Sequence, residues 1–259
     1  MCRLLLVLLL ILPLPEAGAQ TSEERGYAIA LEMQRRDAGW RDMRAQMEMV
    51  LRNRQGDESH RLLRTLTLEV EGDGDKGLTI FDTPPDVRGT AFLSFTHPTK
   101  ADDQWLYLPA LKRVKRIASA TKSGPFMGSE FAYEDLSSNE VEKYRYKWLH
   151  DATLAGRPVH VLERYPVYEH SGYRRQVVWI DTAMLRPVRV EFFDRKNAPL
   201  KTLTYHEYRL YLDSYWRADR MEMSNHQTGK STELIWRDYE FQTGLSERDF
   251  DKSTLKRVH

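Results

Sequence analysis

Three rhythms of apolar residues run along this chain. Leu4 to Leu12 is apolar without a break, and Pro13 and Pro15 follow it. From Thr21 to Ala38 the spacing becomes helical: Tyr27, Ala30, Leu31 and Ala38 share a face, and Thr21 with Glu24 has the spacing of a capping box. Gly39 then ends the helix, and the period drops to two. Met43, Ala45, Met47, Met49 and Leu51 alternate with polar neighbours, as in a half-buried strand. Leu62, Leu66, Leu68 and Val70 form the apolar side of a second strand, with Thr65, Thr67, Glu69 and Glu71 opposite.

The strand-and-turn rhythm continues through Leu78–Phe81, Thr90–Thr96, Gln104–Leu108 and a short basic stretch, Lys112–Ile117. Ala118 to Ser138 is irregular, small and polar, but carries Phe126, Met127, Phe131 and Tyr133. Seven further strands are predicted, near Tyr144–Leu154, Val159–Tyr165, Tyr173–Ile180, Val188–Phe193, Lys201–Tyr208, Trp216–Ser224 and Glu233–Phe241. Leu245–Arg257 closes as a short helix, with Ser246 and Asp249 at capping-box spacing. So many strands with hairpin-length links and no crossover helices imply a meandering antiparallel sheet. A sheet of this size must curl or close. No linker divides the chain, so residues 20–259 are expected to form one domain.

Arg3, the apolar run and the small residues Ala17-Gly18-Ala19 have the layout of a secretory signal, with cleavage predicted after Ala19. The run is too short for a membrane anchor. The one cysteine, Cys2, lies ahead of it, where it can neither take a lipid at the cleavage junction nor serve the mature chain as thiol, disulfide or metal ligand. Charge is balanced at 39 basic and 38 acidic residues, which gives no field for nucleic acid or anionic membrane. A mean hydropathy of −0.61 and no second long apolar run leave no spanning helix in the mature chain.

Catalytic and metal signatures are sparse. His150, His160 and His170 lack ligand spacing, and Asp73 and Asp75 fail as a calcium loop, since Leu78 stands where Gly is required and Pro84 where Glu is. Glu134 and Asp135 are the nearest approach to an acid/base pair, without an electrophile-stabilising partner. The protein is expected not to be an enzyme and to need no cofactor or metal. Two groups invite binding roles. Lys112, Arg113, Lys115 and Arg116 read either as a charge-protected edge strand or as a docking patch for an anionic headgroup or acidic partner. Met47, Met49, Leu66, Leu68, Leu93 and Phe95, with Trp105, Tyr107, Phe126 and Met127, read either as core or as the lining of an adaptable apolar cleft.

The stretches Asp103–Ile117, Phe126–Phe131 and Tyr133–Leu136, preceded by Pro84–Leu93, resemble the outer-membrane lipoprotein-sorting family, in its LolA-like, RND/MMPL transporter-associated branch. Glu130 stands where the family more often has Asp. The resemblance implies a mainly β fold, a LolA-like incomplete antiparallel β-barrel with an N-terminal helix, a lid loop or helix and a short C-terminal helix. It also implies a periplasmic carrier for the acyl chains of a lipid or lipoprotein, with an RND/MMPL-type transporter as membrane partner. The alternatives are a non-transporting sensor module docked through the basic run, and, third, a hydrolase using Glu134 or Asp135.

Overall fold

The computed structural model describes residues 20–137 and 140–257. The signal-peptide reading of residues 1–19, Cys2 included, lies outside them. One helix, α1 (Ser22–Asp37), precedes thirteen strands: β1 (Asp42–Arg52), β2 (Glu58–Leu68), β3 (Lys76–Thr83), β4 (Ala91–Phe95), β5 (Asp103–Leu108), β6 (Arg113–Arg116), β7 (Tyr144–Leu154), β8 (Arg157–Pro166), β9 (Tyr173–Asp181), β10 (Arg186–Asp194), β11 (Pro199–Tyr211), β12 (Tyr215–Asn225) and β13 (Ser231–Phe241). All belong to one antiparallel sheet of order β6-β5-β4-β3-β2-β1-β13-β12-β11-β10-β9-β8-β7. The two halves join where β1 pairs with β13, Met47 opposite Trp236. The edges β6 and β7 are not paired with each other, so the curved sheet is an incomplete barrel.

Each face of this sheet carries its own core. On the inner face Met47, Met49, Leu63, Phe92, Leu203 and Leu234 belong to one cluster that continues through Leu162 and Ile180 to α1 and the 118–137 loop. On the outer face Leu78, Ile80, Leu93 and Tyr107 pack beneath Leu245, Phe250 and Leu255 of the C-terminal segment. That segment is capped through Ser246 and Asp249, but it winds as two successive 3-10 turns, Glu247–Phe250 and Lys252–Arg257, in place of an α-helix. A third cluster around Val159, Val161 and Val177 covers the outer face at the opposite edge.

The capping box of Thr21 and Glu24 is formed. The helix nevertheless turns a different face inward from the one its spacing predicts. Gly26 and Ala30 are buried, with Ile29 and Met33 beside them, while Tyr27 and Leu31 are exposed. The cause is close approach to β7: a Cβ on Gly26 would lie 2.7 Å from the backbone nitrogen of Trp148. Only glycine lets the helix sit so low. Gly26→Ala should therefore cost about 1–3 kcal/mol despite the better helix propensity of alanine. Thermal denaturation should show a melting temperature lower by roughly 3–10 °C; an unchanged value would contradict the close contact.

Candidate functional site

Antiparallel connectivity places the turns alternately at the two ends of the curved sheet. One end gathers the α1–β1 link, the β2–β3 and β9–β10 turns and the β11–β12 tip. The other gathers the β1–β2, β8–β9 and β12–β13 turns. Inside lies a cavity of about 1430 Å³, beyond the roughly 300–1,000 Å³ of pockets for drug-sized ligands. Its middle is apolar, with Met47, Met49, Val190, Leu203 and Met221 on the wall. At the first end it reaches Arg41, Glu69, Arg186, Trp216 and Arg217, which form the mouth; at the second it stops on Phe126 and Phe131.

The floor is made by the chain that links the two unpaired edges, β6 and β7. Residues 122–137 of this link form a strap held by strands from across the sheet. Arg61 of β2 donates to the Met127 carbonyl (2.6 Å), and Gln104 of β5 to that of Tyr133 (3.1 Å). The Glu130 amide donates to the Thr232 hydroxyl (2.9 Å), while the Asn225 amide donates to the Glu130 carboxylate (2.6 Å). Lys201 donates both to the Glu130 carbonyl (2.8 Å) and to Asp135 (2.7 Å). Asp135 also accepts from the Tyr173 hydroxyl (2.7 Å) and the Ala132 amide (2.7 Å). Glu134 accepts from the Gly172 amide, the Ser171 hydroxyl and the Tyr168 hydroxyl at 2.8–3.0 Å. Burial, with Asp135 adjoining, pushes the Glu134 carboxyl above its ordinary range, and burial pushes the Lys122 amine down.

The cover expected from the loop is thus present, but as a pinned floor at the end opposite the mouth. The residues that carried the resemblance, Phe126–Phe131 and Tyr133–Leu136, are the strap itself. Glu134 and Asp135, the candidate acid/base pair, each have three protein donors and act as anchors. What the cavity offers is a place for apolar matter, walled by thioether and branched side chains that adapt to irregular shapes.

The ten expected lining residues divide between the two faces. Met47, Met49 and Phe126 belong to the inner cluster and line the cavity, and Met127 packs against that cluster from the strap. Leu66 and Leu68 touch the cavity near its mouth, yet pack with the outer cluster. Leu93, Phe95, Trp105 and Tyr107 lie in the outer cluster with the C-terminal turns, and are not brought together with the others. The reason is register. Met47 stands opposite Leu63, so the odd positions of β2 (Leu63, Thr65, Thr67) share its face and the even leucines take the other. The inward residues of β4 and β5, Phe92 and Leu106, are the alternates of those expected. Lys112, Arg113, Lys115 and Arg116 fall on and beside edge strand β6, exposed, with Lys112 in the turn at the strap end. Arg116 pairs with Asp103.

At the mouth, Asp37 at the end of α1 accepts from Arg186 of β10 and Arg217 of β12, tying the helix across the rim. Glu69 accepts from the amides of Gly39 (2.6 Å) and Arg41 (2.8 Å). Beside them burial, reinforced by the carboxylates of Glu140, Glu69 and Asp37 and only partly relieved by Arg217, pushes the Asp75 carboxyl up to about 7.

A family model described as an uncharacterized-protein-like family matches residues 73–257. The chain is similar to an outer-membrane lipoprotein-sorting protein domain from Vibrio parahaemolyticus, at 63% identity over 91% of this chain and 100% of that one, with a TM-score of 0.89. It is similar to a DUF1329 family protein from Desulfovibrio piger, at 29% identity over 91% and 99% of the two chains (TM-score 0.86). A LolA superfamily protein from Nitrosomonas europaea shares the fold at 18% identity over 88% and 98% (TM-score 0.71). No curated protein matches the chain. Among the described residues no helix is long and apolar enough to cross a membrane.

Two predictions follow from the floor and the mouth. Lys201→Met leaves Asp135 buried beside a neutral side chain and should cost about 3–5 kcal/mol in urea unfolding. Adding Asp135→Asn should recover part of that loss; equal stability of wild type and single variant would refute the anchoring role. At the mouth, folded protein binds the Asp75 proton more tightly than the unfolded chain does, so this carboxyl lowers stability progressively as pH rises from the ordinary carboxylate range to about 7. Asp75→Asn should match wild type near about pH 4 and melt higher than it at about pH 8.

Proposed function

The chain belongs to the outer-membrane lipoprotein-sorting family, and on that premise we propose that it is a periplasmic carrier that shields the acyl chains of a lipid or lipoprotein and exchanges them with a membrane partner. The observation that carries this reading is the large apolar-walled cavity, closed by the strap at one end and open between α1 and the strand turns at the other. Each methylene withdrawn from water contributes about 0.8 kcal/mol, so a long acyl chain gains on the order of 10 kcal/mol by entering such a space. A rigid floor and a methionine-rich wall hold cargo without fixing one shape, which leaves release possible. The resemblance of the 103–136 motif extends the proposal to an RND/MMPL-type transporter as the membrane partner.

Native mass spectrometry of protein exported to the periplasm should show bound acyl lipid. Met221→Trp, which narrows the cavity from its wall, should lower occupancy at least threefold with the far-ultraviolet circular dichroism unchanged. Recovery of ligand-free protein alone, from cells rich in lipid, would count decisively against the carrier.

A further inference from the structure

β11 and β12 stay paired with each other beyond their ladders with β10 and β13. Their ladder runs to Tyr211 opposite Tyr215, whereas β12 pairs with β13 only from Arg220 to Ser224. The distal hairpin is therefore free of strand partners on its β13 side. Its turn is unusual in composition. Leu212 and Asp213 both hold left-handed backbone, at φ 49° and 53°, and the Ser214 amide donates to the Tyr211 carbonyl (3.0 Å). Such turns favour Gly or Asn, and a leucine there pays a conformational cost. Packing does not explain the choice, because Leu212 is 51% exposed and Leu210 is 44% exposed.

The surroundings of the tip share a chemistry. Tyr211 packs on Tyr239 (5.1 Å) and Phe241 (5.4 Å), and Tyr215 stacks on Phe241 (6.3 Å), an aromatic cluster at the root of the tip, while Leu210 stands opposite Trp216 on the alternate face. Tyrosine and tryptophan are the residues that settle at a membrane–water boundary. The arginines of the hairpin are paired, Arg209 with Asp219 and Arg217 with Asp37, and the exposed Asp213 carboxylate in the turn can stay among the headgroups beside them. The hairpin is also continuous with the cavity, since Tyr208, Trp216, Arg217 and Ala218 line its mouth end. Across that mouth α1 presents Leu31, itself 46% exposed.

We propose that the β11–β12 tip is a membrane-docking element. Leu210 and Leu212 enter the boundary between headgroups and acyl chains of a phospholipid bilayer, with Tyr211 and Tyr215 at the headgroup level, and this brings the cavity mouth to the surface from which an acyl chain is taken or to which it is returned. The docking deepens the carrier reading and rests on it for the identity of what passes the mouth. It differs from attraction by Lys112 and Arg113, which lie at the strap end of the β6 edge. Apolar insertion by the leucines of the tip persists in salt, whereas a docking of exposed Lys and Arg is screened.

Flotation with phosphatidylcholine vesicles, with and without phosphatidylglycerol, at about 0.1 M and about 0.5 M salt separates the two. Wild-type protein should float with both vesicle types at either salt. Leu210→Asp/Leu212→Asp should weaken the association at least about tenfold, and Lys112→Glu/Arg113→Glu should leave it unchanged. Leu212→Trp supplies a second readout that leaves the tip apolar, its emission shifting to the blue on vesicles. Absence of flotation, loss of it with salt or charge reversal but not with the leucine pair, or a tip that instead mediates dimerisation in solution would overturn the proposal. Flotation by protein that carries no acyl lipid would sink the carrier reading and leave the docking standing; bound lipid with no tip-dependent flotation would do the reverse.

Discussion

A curved sheet that stops short of closure has to solve one problem before any other: its two edge strands lie apart, and the space between them leads to its interior. In this protein the chain that connects β6 to β7 solves it, because the connection is itself the bridge. The anchors of the strap then follow from the need to bury its polar backbone and side-chain groups with partners. The Lys201–Asp135 pair sits at the centre of that set, with both side chains almost wholly buried. A buried pair of this kind gives little net stability over an apolar replacement, but it fixes which arrangement is reached, since either charge alone would be stranded.

That fixed floor divides the labour of the molecule. One end is saturated with hydrogen bonds, while the rim at the other is tied by two largely buried arginines that converge on the half-exposed Asp37 carboxylate. Between them lies an apolar wall drawn from strands that are distant in sequence. The proposed hydrocarbon cargo asks for little more than dryness and room, and the polar groups of the strap serve architecture.

Much of the fold was legible in the residues. The two-residue period marked the strands, the capping residues marked both terminal segments, and the lack of crossover helices fixed the antiparallel meander. The face of each strand was not legible. On β2 the leucines and threonines alternate clearly, yet the threonine side shares the inner face with Leu63, because β2 has apolar cover on both sides and only pairing with β1 decides between them. Helix α1 was misjudged for a related reason: its stripe of larger apolar residues was plain, but a glycine chose the contact. The family-like motif stands out in the sequence, and its acids and aromatics turn out to fasten the strap that closes one end of the cavity.

The pairing of β1 with β13 has a consequence for how the molecule comes into being. Among the described residues the first strand needs, on one side, the last: Met47 waits for Trp236. Until then the growing chain can form hairpins but no continuous inner wall, and closure of so long a loop is slow. The interior therefore exists only in the finished molecule. An unfinished chain has hairpins with bare edges and no enclosed space, so the uptake of the proposed cargo has to follow assembly.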